Sequence, residues 1–412
     1  MPEPAAPTAI SSAQPVERMS PPPLWTLTFL TFLLINFCIF VGFDMLLPTL
    51  SLYLDQQGIS KETMGLIFSS FAISAISMRL TAARLSRRFG ATTVLRYGLI
   101  ICFVGSFLFF LIPHPVFFAL ARLFHGAGFG LTSTLMVSMA AQVIPSQRIG
   151  EGLGYLGLGA TVALAFGPLA GLRLSTVFGY RVMFTSIAFC YIAATLVSLT
   201  LPKIKLASDS RQESLGLKDF LEFKAFPPAS LILIYGMACC SVTSYLAIYC
   251  QEMGLPSAAG FFMISTVGTI TARLSSGRLY DRYGHITVIP PSIAIMAASI
   301  LIIVLLPAPV MLYAAAIVYG LSMGSIFPSI QALTLSAVPA ENRTIASAIF
   351  FNAFDIGIGS GTLLMGLLAG TFETFSVLYL ASPCLLAVLL ALYFYYYLGR
   401  PGGPFSPPRR PS

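Results

Sequence analysis

The sequence predicts an all-α polytopic membrane protein of twelve transmembrane helices, arranged as two six-helix, pseudo-symmetric halves. Three observations carry that expectation: the composition, the lengths of the apolar runs, and an internal repeat at one fixed offset. Of 412 residues, 57% are hydrophobic and only 9% are charged, whereas soluble domains carry about 25% charged residues. Windows such as 26–54, 95–112, 289–306 and 375–398 are long enough to cross a hydrocarbon core at about 1.5 Å of rise per residue.

Dividing the apolar runs at charged or proline-rich turns places spans 1 to 6 at 26–54, 63–83, 93–112, 116–142, 150–177 and 180–201. Spans 7 to 12 fall at 228–250, 257–276, 286–306, 310–338, 345–370 and 374–398. The expected organisation is a tail over 1–23, a bundle over 24–201, a polar linker over 202–226, a second bundle over 227–398 and a tail over 399–412. The proline-rich first residues lack the basic start and apolar run of a signal peptide.

With the amino terminus inside, the cytoplasmic connections collect most of the basic residues, among them Arg79, Arg84, Arg87, Arg88, Arg96, Arg273, Arg278 and Arg282. The outside receives Lys61, Arg173 and Arg181. This bias predicts both termini in the cytoplasm and a multi-pass chain in the inner (plasma) membrane. The net charge of +8 belongs to that bias, and no nucleic-acid partner is expected. The seven cysteines lie in or beside apolar segments without CxxC spacing or clustered histidines. They point to buried thiols, with no metal, disulfide set or cofactor expected.

The repeat pairs MRLTAARLSRRFGATTV, ending at Val94, with ARLSSGRLYDRYGHITV, ending at Val288, through Arg79/Arg273, Arg84/Arg278, Arg88/Arg282 and Gly90/Gly284, an offset of 194. The same register pairs Gly126 with Gly320, Gly130 with Gly324, Pro145 with Pro339 and Gly167 with Gly361. Two halves entering from the same side imply parallel repeats about an axis along the membrane normal, with a site between them near the midplane.

The stretch Gly277-Arg-Leu-Tyr-Asp281-Arg282-Tyr-Gly284 resembles the loop motif of the major facilitator superfamily, and the resemblance extends over essentially the whole chain. The first-half copy keeps Arg84, Arg88 and Gly90 but has Ala83 and Arg87 at the glycine and aspartate positions. The glycines permit a tight turn. Asp281 is expected to cap the start of span 5 near Gly150, and Arg87 or Arg88 to reach Glu341. In span 5, Gly154 and the run Gly167-Pro168-Leu-Ala-Gly171 resemble the antiporter motif of the family's exporters.

The resemblance implies a monomeric secondary active transporter working by alternating access. Its implied activity is proton-coupled export of a small amphipathic molecule, drug-like or related to a metabolite or metallophore. A proton-coupled uptake symporter is the alternative. An enzyme or non-transporting sensor has less support, because no HExxH, GxSxG, phosphate-binding loop or large soluble domain is present.

Ionisable groups inside spans are costly in hydrocarbon and are read as functional. Arg122-Leu-Phe-His125-Gly126 in span 4 resembles the family's second motif, in which an arginine is held inside the bundle. At about 1.5 Å per residue, Asp44 lies about 27 Å along span 1 and Arg122 about 9 Å into span 4 from the opposite side. The two therefore share a depth in a core of about 30 Å and are expected to meet in at least one state. Burial opposes an ionised carboxylate and a neighbouring guanidinium favours it, so small rearrangements can load or release a proton. A permanent structural ion pair is the alternative. His125 is read as a relay residue or a hydrogen-bonded structural one. Asp355 in span 11 has no arginine expected at its level.

Asn36, Phe40 and Asp44 recur on one stripe of span 1. With Tyr235, Thr243 and Tyr245 of span 7, Tyr319, Met323 and Phe327 of span 10, and Asn352 of span 11, they outline a cavity for an amphiphile rather than a highly charged solute. The expected partners are thus the small-molecule substrate, protons and the lipid bilayer.

Overall fold

A computed structural model describes residues 23–109, 113–145, 148–204, 226–338 and 343–397 of the chain. The described residues form α1 (Leu27–Gln56), α2 (Lys61–Phe89), α3 (Ala91–Leu108), α4 (Pro115–Val143) and α5 (Ile149–Ser198) in the first half. The second half holds α6 (Phe226–Glu252), α7 (Ala258–Tyr283), α8 (Ile289–Leu305), α9 (Pro309–Ser336), α10 (Arg343–Thr371) and α11 (Ser376–Tyr397). No strand occurs among them.

Spans 5 and 6 are joined into one continuous element, α5, which departs from helical geometry at Gly179, where φ is +85°. Its two limbs run in opposite directions along α1. In the first limb, Leu156, Gly167 and Gly171 meet Asn36, Asp44 and Met45 in ascending order. In the second, Tyr180, Met183 and Tyr191 meet Tyr53, Thr49 and Gly42 in descending order. A left-handed glycine reverses the chain without the few polar residues that normally separate two spans. Among the described residues, the twelve expected spans therefore fall on ten separate helices and one folded pair.

Helix starts carry local signals. Thr26 and Ser60 cap α1 and α2 by accepting from Phe29 and Thr63 backbone N–H groups, and α4, α8 and α9 have proline in the first turn. Pro at that position loses no intrahelical bond. Large apolar side chains such as Leu27, Leu274 and Val310 stand exposed on the outside of the bundle, as expected of a surface that meets lipid tails.

The repeat is visible in the backbone. Gly90 and Gly284 share a positive φ, of +85° and +82°, at the turns after α2 and α7. The partner of Gly179 is Glu373, the positive-φ residue without a glycine's freedom among the described residues. A side chain at Gly126 would strike the carbonyl of Phe71, and at Gly320 that of Ser265; at Gly130 it would strike Ala75, and at Gly324, Thr269. Every member of these four contacts is displaced by the same 194 positions. Small residues let membrane helices approach to backbone contact, where dispersion and weak hydrogen bonds replace the absent hydrophobic drive.

We call the side where α1 and α6 begin and α5 ends the linker face, and the opposite side the far face. The halves pack through α2 on α10, α5 on α7 and α1 on α6. The α2–α10 seam is an antiparallel zipper from the far face inward. Lys61 donates to the Glu373 carbonyl at 2.6 Å, Gly65 lies against Thr362 and Gly366, and Gly359 against Ala72. Its innermost rung is an ion pair between Arg79 and Asp355.

Candidate functional site

The structure gathers the intramembrane charges into two centres. The first lies within the amino-terminal half, between α1, α2, α4 and α5. Arg122 is buried to 2% exposure. Its guanidinium sits 4.4 Å from the Phe71 ring centroid and 5.8 Å from that of Phe68, and its Nε and Nη1 have no hydrogen-bond partner. Asp44, 4% exposed, packs its Cβ against Gly167 of α5. The two are not ion-paired in this conformation; the salt bridge among the described residues is the Arg79–Asp355 one. The fully buried Tyr191 lies against Gly42, two residues before Asp44 on α1.

Tyr191 links this centre to His125. His125 Nε2 and Tyr191 Oη are 2.6 Å apart, and the Tyr191 hydroxyl also lies 3.4 Å from the Ile39 carbonyl. His125 is therefore held by α5 on one side, while its Nδ1 is buried without a partner. Phe43, Phe71 and Phe129 form an aromatic wall around the imidazole. The offset partners of Asp44, Arg122 and His125 are Ala238, Ala316 and Tyr319, so this charged set exists in one half only.

The second centre corrects the reading of Asp355 as a carboxylate without an arginine at its level. Arg79 Nη2 donates to Asp355 Oδ2 at 2.6 Å, with side-chain exposures of 11% and 17%. Arg79, assigned from sequence to a cytoplasmic connection, lies inside α2, about 27 Å from Lys61 at 1.5 Å per residue. Its side chain passes 5.8 Å from the Phe351 ring. Arg79 and Asp355 each stand 18 positions from the Lys61–Glu373 contact, so the antiparallel seam brings their backbones to one level.

Of the expected cavity residues, some are consumed by packing. Asn36 Nδ2 donates to the Leu156 carbonyl at 3.0 Å and ties α1 to α5. Tyr245 donates to the Thr362 carbonyl at 2.9 Å and packs between Phe68 and Phe375 in the seam. These two close interfaces instead of lining open space, because each amide or hydroxyl finds a carbonyl on a tightly packed neighbour. Phe40, Thr243, Met323 and Phe327 are half-buried. Phe327 packs edge-on against Phe350 and Phe354, and Phe40 against Phe129. Tyr235 and Tyr319 flank the Cys239 thiol with both hydroxyls lacking hydrogen-bond geometry to any group, and Asn352 Oδ1 is likewise unpartnered.

Arg84, Arg88 and Arg282 are exposed at the linker face, the last two over Phe89 and Tyr283. Glu341 and the side chain of Asp281 lie outside the described residues, as do the side chains of Ile149 to Glu151 at the expected capping site. In the exporter-like run, Gly167 and Gly171 seat α5 on Asp44 and Met45, Pro168 is buried, and Gly154 faces open space. Two grooves of about 450 and 430 Å³ flank this α1–α5 contact. Sequence reasoning missed Tyr191 and the partnership of Arg79. The offset pairing of Arg79 with Arg273 inside otherwise apolar runs was the available signal for the latter.

Residues 32–362 and 262–411 match the Major Facilitator Superfamily. The chain belongs to that family. It is a multi-pass membrane transporter and not an enzyme. Multidrug resistance protein MdtG of Klebsiella pneumoniae is 28% identical over 402 residues, covering 91% of this chain and 95% of that protein. The multi-drug resistance efflux pump PmrA of Streptococcus pneumoniae is 22% identical over 372 residues, covering 85% and 91%. Among solved structures, the nucleoside transporter NupG matches with a TM-score of 0.71 at 18% identity, over 90% of this chain and 100% of that one. As an MFS transporter the chain handles small-molecule substrates.

Proposed function

We propose that this chain is a proton-coupled antiporter of the inner membrane that exports a small amphipathic molecule, with both termini and the linker face cytoplasmic. The observation that carries the proposal is Asp44. It is a buried carboxylate without a salt-bridge partner among the described residues, set directly against Gly167 of the exporter-like run. A carboxylate at that depth is stable when protonated, and when ionised it draws the unpartnered Arg122 toward it.

Gly167 places no side chain between α5 and α1, so a change in the charge of Asp44 acts directly on the packing of the two helices. His125 and Tyr191 offer a hydrogen-bonded route between α4 and α5 for the proton. The names of the relatives MdtG and PmrA support efflux. The distribution of Lys and Arg supports a cytoplasmic linker face.

The decisive experiment is proton flux in proteoliposomes with an imposed pH gradient and a panel of amphiphilic dyes. Antiport predicts dye accumulation on the acidic side and alkalinisation of that side when dye is added. Dye and protons moving in the same direction establish uptake symport instead.

A further inference from the structure

Arg79 and Arg273 are partners in the repeat, yet their surroundings differ. Arg79 is neutralised by Asp355. The residue 194 positions before Asp355 is Thr161, a buried hydroxyl that donates to the Gly157 carbonyl. Arg273 therefore has no counterpart of Asp355 on α5, and no carboxylate among the described residues pairs with it.

The space around Arg273 is open. Phe262, Thr266, Arg273 and Gly277 recur on one face of α7. The two nearer the far face are buried and the two nearer the linker face are exposed. The α9-facing stripe of Ser265, Thr269, Ala272 and Ser276 stays buried throughout. On α5, a side chain at Gly154 or Gly157 would meet nothing, and the same holds for Gly277 on α7.

The repeat that turns Arg79 of α2 toward α10 turns Arg273 of α7 toward α5, the helix that packs on it across the matching seam. A guanidinium inside a span is costly against hydrocarbon, which favours water in the open space beside it.

We infer that Arg273 is an anion subsite of the transport pathway, and that the cargo is an amphiphile bearing a carboxylate or similar acidic group. The subsite rests on the transporter reading but not on the direction of transport. A guanidinium presents a planar fork matched to a carboxylate, and the adjoining aromatic residues of α6 and α9 suit an apolar body. The substrate supplies on α7 the negative charge that Asp355 supplies on α2.

The test is equilibrium binding to the full-length transporter in nanodiscs, using indole-3-acetate, its neutral amide and tryptamine as matched anionic, neutral and cationic probes. Wild type should bind the anion about tenfold or more better than the amide, the size of one charge-assisted hydrogen bond. Arg273→Gln should erase that preference while amide binding persists, which reports a folded site, and Arg273→Lys should retain part of it. Thr161→Asp, which leaves Arg273 in place, should erase the preference by supplying the missing carboxylate. An anion bound no better than the amide, including no detectable binding of either, overturns the assignment, as does an unaltered preference in Arg273→Gln. Because no gradient is present, these outcomes are independent of whether transport proves to be antiport or symport.

Discussion

At the scale of single residues, the two charge centres make opposite predictions. Asp44 has no salt bridge among the described residues, so replacing it need not break one. Asp44→Asn should fold and melt like wild type and keep gradient-independent exchange of substrate, but lose pH-driven accumulation in vesicles. Undiminished accumulation would transfer the proton-carrier role elsewhere. Arg122→Lys should also transport poorly, because an ammonium cannot reproduce a planar guanidinium stacked on Phe71.

Arg79–Asp355 is an ion pair already made. Removing one partner leaves a largely buried charge alone, which costs about 3–5 kcal/mol. Asp355→Asn should therefore lower the melting temperature in detergent, and the exchanged pair Arg79→Asp with Asp355→Arg should recover most of the loss. A single variant as stable as wild type would show the pair to be incidental.

At the scale of elements, the glycines sort into those that hold helices together and those that leave room. Gly126→Ala places a methyl group against the Phe71 carbonyl of α2 and should destabilise by about 1–3 kcal/mol, the usual cost of overpacking. Gly154→Ala meets no neighbour and should be neutral or stabilising by up to about 1 kcal/mol from helix propensity. Thermal melts of the two purified variants provide the comparison. Such a distinction is invisible in the sequence, where both residues sit in glycine-rich runs.

What the sequence does expose at this scale is periodicity and offset. The apolar runs located the helices, and the 194-residue register paired the two halves and the turn glycines Gly90 and Gly284. It could not reveal the fusion of spans 5 and 6, since Gly179 acts by its dihedral angles, not by a polar break. Depth along a straight helix brought Asp44 and Arg122 to one level but could not tell that Phe71 would take the guanidinium. Nor did it find Arg79 beside Asp355, because the sequence assigns Arg79 to a cytoplasmic connection and the packing of α2 on α10, which sets their common level, is a tertiary contact.

At the scale of the whole molecule, alternating access requires the far-face seam to part. Cysteines at Lys61 and Glu373, which meet at the far-face end of the seam, joined by a short bifunctional methanethiosulfonate in a variant stripped of native cysteines, should tie α2 to α10. Transport should stop on cross-linking and return on reduction; continued transport by the cross-linked protein would show that this seam never opens.

The Arg79–Asp355 rung has a mechanical consequence. The seam is closed from the far face down to that level, and across the molecule α5 and α7 stand apart from the equivalent level of Arg273 toward the linker face. Where closed gives way to parted, a rocking body has its axle, and distances at an axle change least during the swing. A short ionic contact placed there can survive both extremes of such a motion, marking the axis of the swing instead of acting as a latch that must break.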